Sequence, residues 1–360
     1  MNIAVRCDGS KKIGMGHIYR QMNLAESLKS SGFKVTFFIK PHEISIKKLN
    51  QNGCDYKVIF NDGEFLRSLS ENEYDSVVFD IRDTKKGYIE KIRKKRVKII
   101  SFDDLGDGGC YSDLLIDANR DNEEASYIKL LRPKTCFGPQ YIILKEKFHK
   151  IWKRKKYIPA KMKSILISMG GSDPLNISRK LFETFKTHQI SHSTRIVLGP
   201  AYENKKRIIH DTKDLSNIEL IIDTDNMEEL MYQSDLIFCS GGITLYEALA
   251  TGTPAVVISQ NKHQAITADK FHKLGIVRHL GIGKDINKKL VINALEISRK
   301  ERMFMSKKGK EMVDGRGLAR VKKEILKQMK KALKINREIE NFITSLPFSD
   351  SEGLKKALYS

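Results

Sequence analysis

The chain is poor in the residues that would commit it to several common designs. Only five of its 360 residues are cysteine. Cys7, Cys54, Cys110, Cys136 and Cys239 are widely separated and form no C-x-x-C pair, which excludes a disulfide scaffold, a zinc ribbon or a redox motif and predicts reduced thiols in a cytoplasmic protein. Aromatic residues make up 8% of the chain, with one tryptophan, and no aromatic strand suggests an RNA-binding module. Eight prolines and 24 glycines fall short of collagen-like or linker composition. No apolar run approaches the roughly 20 residues needed to cross a bilayer. The N-terminus reaches Arg6 and Asp8 before any signal-like apolar core builds up. His188 and His192 stand four residues apart, but no histidine or carboxylate cluster with metal-ligand spacing stands out, so neither a metal nor another cofactor is expected. His149, His188, His192, His210, His272 and His279 are scattered.

What is present is charge: 65 Lys+Arg against 44 Asp+Glu, a formal +21. Such an excess fits nucleic acid, an anionic membrane surface or a small polyanion such as a nucleoside diphosphate. Its densest runs, Lys85–Lys98, Lys145–Lys163 and the region beyond Arg299, lie away from the glycine-rich turns described below. That distribution favours a lysine-rich surface over a nucleic-acid face. Hydrophobic residues, at 40%, suffice for two cores, and the length suits about two domains.

Short apolar runs alternate with helical periods, which predicts an α/β protein with parallel sheets. The expected strands are Ile3–Arg6, Val35–Ile39, Tyr56–Phe60, Ser76–Asp80, Val97–Phe102 and Leu114–Asp117 in the first half. In the second half they are Ser164–Met169, Thr194–Leu198, Glu219–Ile222, Asp235–Cys239 and Pro254–Ser259. The clearest helix is Ile18–Ser30, with Leu24, Ala25 and Leu28 on one face and Gly32 to end it. Two Rossmann-like halves are therefore expected, residues 1–150 and 164–321, joined by a basic linker at 151–163. A helical extension follows at 322–360; the helical period itself runs from about Leu318 to Leu346 and is stopped by Pro347.

Three glycine-rich turns sit at strand ends, where open α/β sheets bind ligands. The first runs from Asp8 through Gly14 and Gly16 to His17, at the start of a helix. There a neutral imidazole can act as general base, or the histidine can simply accompany the helix cap. Tyr19 replaces the third glycine of G-x-G-x-x-G, so this is not that dinucleotide fingerprint. The second turn is Gly170-Gly171-Ser172-Asp173-Pro174, either an oxyanion nest or an N-cap followed by proline. The third, Ser240-Gly241-Gly242-Ile243-Thr244, leads to Glu247. A helix N-terminus here can hold a pyrophosphate and Glu247 can take ribose hydroxyls, while Thr244 and Glu247 also have capping-box spacing. Three such turns over both halves point to a nucleotide in a cleft between them.

In order, Gly14-x-Gly16-His17, Asp103-Asp104, Gly138-Pro139-Gln140-Tyr141, Gly170-Gly171-Ser172-Asp173-Pro174-Leu175-Asn176, Ser240-Gly241-Gly242-x-Thr244-x-x-Glu247 and Asp314-Gly315-Arg316-Gly317-x-x-Arg320-Val321 span Met1 to Val321. On these motifs the sequence resembles the UDP-2,4-diacetamido-2,4,6-trideoxy-β-L-altropyranose hydrolases of pseudaminic acid biosynthesis. Its second half also resembles the MurG-type glycosyltransferases. The resemblance implies a GT-B-like fold in which the second half binds UDP and the first handles the sugar. It implies His17 as the base activating water at the anomeric carbon, with inversion and release of UDP. Gly241, Gly242 and Thr244 would contact the diphosphate, Glu247 the ribose, the backbone near Thr224 the uracil, and Gln264 the sugar or phosphate. His263 stands where the hydrolases usually have asparagine, Ile116-Asp117-Ala118-Asn119 departs from their polar triplet, and the residues after about Lys322 are additional. Two other readings share the scaffold. A glycosyltransferase would use His17 on an acceptor hydroxyl, and a non-catalytic nucleotide-sugar-binding partner protein would use the C-terminal helix for contacts. No nucleic-acid partner or integral membrane segment is expected, and sequence leaves monomer and homodimer equally open.

Overall fold

The computed structural model describes residues 1–10, 13–121 and 133–330. Two parallel sheets organise them. The first holds β1 (Asn2–Cys7), β2 (Lys34–Ile39), β3 (Asp55–Val58), β4 (Ser76–Asp80), β5 (Lys98–Phe102), β6 (Leu114–Asp117) and β7 (Lys134–Phe137) in the order 3-2-1-4-5-6-7. The second holds β8 (Ser164–Ser168), β9 (Ser193–Leu198), β10 (Ile218–Ile222), β11 (Leu236–Cys239), β12 (Ala255–Ser259) and β13 (Arg278–Ile282) in the order 10-9-8-11-12-13. Neighbouring strands pair in parallel, with Val5 opposite Phe37 on one side and Val78 on the other.

Central strands are unbroken apolar runs because helices cover both faces of each sheet. Residues of β4, β11 and β12 are buried throughout. The edge strands β7 and β13, which hydrophobic runs did not reveal, read KTCF and RHLGI and are only partly buried. In each sheet the order reverses beside its first strand, between β1 and β4 and between β8 and β11. Loops leaving those four strands therefore diverge and open a crevice.

The chain passes between the two sheets twice. On the way out, consecutive residues alternate: Ile143 enters the first sheet's core, while Ile142, Leu144 and Phe148 enter the second's. On the return, Val313 belongs to the second core and Val321, Ile325 and Met329 to the first. Residues 317–330 are helical, so the 321/322 boundary expected from sequence falls inside a helix that packs on the first domain. Residues 331–360, the rest of that expected extension, lie outside the described residues.

The two passages are tied side by side. Arg320 Nη1 donates to Asp314 at 2.7 Å and to the Gln140 carbonyl at 3.1 Å, and His149 Nδ1 meets the Asp314 carbonyl at 2.8 Å. The basic stretch at 151–163 lies along the second domain: Arg154 stacks on Tyr232 and pairs with Glu229 at 2.6 Å. Lys156 donates to the Ser234 carbonyl at 2.7 Å, and its burial lowers its pKa to about 8.

At Gly317 the backbones approach so closely that a Cβ would lie 1.9 Å from the Ile142 carbonyl oxygen. Gly317→Ala must push the two passages apart, and we expect a loss of about 2 kcal/mol in chemical denaturation. An unchanged denaturation midpoint would show that the crossing is not tightly packed.

Candidate functional site

The helix Gly16–Lys29 follows β1, and its first turn presents His17, Arg20 and Gln21, spaced i, i+3 and i+4, to one carboxylate. That carboxylate is Asp80, which closes β4 on the other side of the crevice and is fully buried. Asp80 Oδ1 receives His17 Nδ1 at 2.6 Å and Arg20 Nη2 at 2.5 Å. Its Oδ2 receives Arg20 Nε at 2.9 Å and Gln21 Nε2 at 2.8 Å. Burial alone would raise the Asp80 pKa, but the Arg20 charge and the hydrogen bonds from His17 and Arg20 hold it well below the usual carboxylate range. An ionised carboxylate only accepts, so His17 carries its proton on Nδ1 and leaves Nε2 as the basic nitrogen.

Arg20 also donates through Nη1 to Asp103. Asp103 adopts φ +43° at the end of β5 and lines the same crevice. Burial and the Asp103 charge push the neighbouring Asp117 pKa up to about 7, opposed by the Asn119 N–H at 2.8 Å and by Arg120, which pairs with Asp117 at 3.0 Å. Asn119 closes this side: its Oδ1 accepts Tyr246 Oη at 2.7 Å and Thr267 Oγ1 at 3.3 Å, both from the second domain.

Across the crevice, the helix Ile243–Thr251 begins at Gly242 with no side chain capping it. The capping-box alternative for Thr244 and Glu247 is therefore not realised, and the first N–H groups stay available to an anion. The turn at Gly170-Gly171 behaves differently. Asp173 accepts the N–H groups of Ile177 and Ser178, both at 2.8 Å, so the following helix Ile177–Thr187 is capped by the protein itself. Gln264 completes the open end. Its Oε1 is fixed by the Gln260 N–H at 2.9 Å, while its Nε2 would stand 3.3 Å from a Cβ at Gly242. Beneath Gly241, the buried Ser259 hydroxyl meets His279 Nε2 at 2.9 Å, and His279 Nδ1 meets Asp269 at 2.6 Å. This Ser-His-Asp series is a strut under the turn, because Ser259 is wholly inaccessible.

Between these two sides lies a cavity of about 320 Å³, within the range of small-molecule sites. Its lining includes Gly14, Gly16, His17, Gly170, Gly171, Thr224, Ser240, Gly241, Gly242, Thr244, Glu247, His263 and Gln264, so nearly all the residues expected at a ligand converge. Asp8 stands apart: its carboxylate pairs with Arg6 at 2.7 Å and accepts the Lys40 N–H at 2.8 Å, fastening β1 to β2. Sequence reasoning did not assign Asp80, Arg20, Asp103, Asn119 or Arg82 to the site. The available signal was polarity at 17, 20 and 21, which continue the buried stripe of Leu24, Ala25 and Leu28.

Two titratable groups are perturbed on the second domain's side. Burial lowers the His263 pKa, and the nearby Arg82 charge adds to this, keeping the ring neutral at pH 7. Burial raises the Glu247 pKa to about 7, opposed in part by Lys145. Among the described residues no His/Cys/Asp/Glu group could hold a metal ion, and no helix is long and apolar enough to cross a membrane.

The glycosyltransferase family 28 C-terminal domain matches residues 165–339. An uncharacterized protein of Methanocaldococcus jannaschii is 32% identical over 290 residues; the match covers 78% of this chain, which spans 60% of that relative's length. The spore coat polysaccharide biosynthesis protein SpsG of Bacillus subtilis is 28% identical over 89% of this chain and 96% of its own length. The UDP-2,4-diacetamido-2,4,6-trideoxy-β-L-altropyranose hydrolase of Campylobacter jejuni is 28% identical over 76% of this chain and 97% of its own. Among solved structures, Acinetobacter baumannii MurG superposes with a TM-score of 0.64 at 13% identity, covering 91% of this chain and 99% of MurG. The UDP-GlcNAc 2-epimerase of Neisseria meningitidis gives 0.61 at 14% identity, covering 91% and 100%.

A glutamate whose folded pKa lies above its ordinary value of about 4.5 stabilises the fold fully below that value, and the contribution is lost as pH rises through about 7. Glu247→Gln should therefore raise the melting temperature at pH 8 and lose that advantage as the pH approaches 4.5. A pH-independent difference in differential scanning calorimetry would contradict a desolvated carboxyl at this position. Doubly wound sheets, paired switch points and likeness to MurG agree: the chain has the GT-B fold, and its second half matches the glycosyltransferase family 28 C-terminal domain.

Proposed function

We propose that the protein is a UDP-sugar hydrolase of surface-glycan biosynthesis, acting in the cytoplasm on UDP-2,4-diacetamido-2,4,6-trideoxy-β-L-altropyranose or a close UDP-sugar. The observation that carries this reading is the His17–Asp80 pair standing across one cavity from the uncapped N-terminus of the helix Ile243–Thr251. The names of the B. subtilis and C. jejuni relatives supply the glycan context and the sugar.

In this mechanism His17 Nε2 takes a proton from water as the water oxygen bonds to the anomeric carbon. The bond from that carbon to the diphosphate oxygen breaks, its electron pair leaves with UDP, and the anomeric configuration inverts. Asp80 holds the imidazole in the required tautomer and balances the imidazolium that forms. The charge developing on the diphosphate meets the free N–H groups at Gly242 and Ile243, with Thr244 and the Gln264 amide beside them. Glu247 accepts the ribose hydroxyls. Because burial raises its pKa, nucleotide binding favours the ionised form and draws its proton off. The backbone near Thr224 receives the uracil.

A second reading is favoured by the glycosyltransferase family 28 match: the same base would then serve an acceptor hydroxyl. The two separate in one experiment. Incubated with a UDP-sugar panel and no acceptor, the wild-type protein should release UDP and free sugar. His17→Ala should slow this about 10³-fold or more and Asp80→Asn about 10²-fold or more, with UDP affinity retained. UDP release that appears only after an acceptor is added would replace hydrolysis with transfer.

A further inference from the structure

Four side chains with permanent positive charge line the cavity: Arg20, Lys48, Arg82 and Lys145. Arg20 is committed to Asp80 and Asp103. Lys145 pairs with Asp225 at 3.0 Å, and Lys48 lies over the Tyr19 ring at 5.3 Å. Arg82 has neither an ion pair nor a ring partner among the described residues. It follows Asp80 by two residues at the carboxyl end of β4, so the segment that holds His17 also delivers a guanidinium to the crevice. Arg82 is close enough to His263 for its charge to help lower that imidazole's pKa. His263 in turn precedes Gln264, which packs over the Gly241-Gly242 turn. An unpaired guanidinium lining a cavity beside an open helix N-terminus suits an anionic ligand oxygen, which it can bind in bidentate fashion.

We propose that Arg82 is a catalytic residue that grips the β-phosphate of the nucleoside diphosphate from the first domain's side and takes up its charge as the bond to the anomeric carbon breaks. This rests on the UDP-sugar reading above. The helix N-terminus offers only partial charges from the opposite side, so Arg82 provides a full positive charge on the first domain's wall, the side that carries the base. Arg82 remains protonated throughout, and the electron pair of the breaking bond stays on the departing phosphate oxygen. The assignment also gives the base and the leaving-group clamp a common anchor, since a shift of the β4 edge displaces Asp80 and Arg82 together.

Calorimetric titration with uridine, UMP and UDP tests it alongside acceptor-free turnover. Wild-type protein should gain affinity from UMP to UDP. Arg82→Ala should weaken UDP by about tenfold or more, leave uridine unchanged, and lower kcat by about 10²-fold or more. Arg82→Lys, which keeps the charge, should recover part of both. UDP affinity and kcat within twofold of wild type in Arg82→Ala would overturn the assignment, as would a uridine affinity that falls in parallel with UDP. Failure of the wild type to bind UDP at all would overturn the nucleotide reading itself, together with this role for Arg82.

Discussion

One buried carboxylate sets the terms for the rest of the site. Asp80 sits at the end of a fully buried strand, and it would be costly as an unpaired charge. Four donors from a single helical turn satisfy it, and two of those donors come from Arg20. The interaction docks the helix Gly16–Lys29 onto the sheet while fixing the proton on His17 Nδ1. Folding and chemical readiness are therefore coupled here: the packing that buries Asp80 is the packing that leaves His17 Nε2 as a base. Arg20 extends the arrangement to Asp103, so the first domain's wall is a connected set of charges rather than a row of independent side chains.

The second domain solves the opposite electrostatic problem with backbone. Gly242 starts its helix without a cap, whereas Asp173 closes the neighbouring helix N-terminus. The two glycine turns of this domain look alike in sequence, yet of the two helices that follow them only the one after Gly242 starts without a side chain on its first N–H groups. Formal charge is a poor guide to such a site, because those N–H groups are uncounted and much of the basic excess is spent elsewhere. Arg154 and Lys156 bind the linker to the second domain, and Arg320 ties the two interdomain passages together.

The central strands were legible because burial on both faces turns them into apolar runs, and the glycine turns were legible because strand ends in such sheets bear ligands. The strands β7 and β13 were not, since partial exposure lets polar residues such as Lys134, Arg278 and His279 occupy them. In the site, His17, Gly242 and Glu247 announced themselves by motif. Asp80 did not, because one aspartate ending a strand has no local pattern; its meaning comes from a helix about 60 residues earlier. Asp8 misled for the complementary reason. It lies in the right loop, but Arg6 and the Lys40 N–H claim its carboxylate. The choice between a cap and an open helix end likewise depends on where a loop carboxylate lands in three dimensions, which adjacent residue types do not specify.

The central claim is that His17, oriented by Asp80, delivers water to an anomeric carbon. Turnover of the UDP-sugar in ¹⁸O-labelled water, followed by mass spectrometry of both products, tests it most directly. The label should appear in the free sugar, with unlabelled UDP. Label in the β-phosphate of UDP would mean that water attacks phosphorus, and would contradict the account.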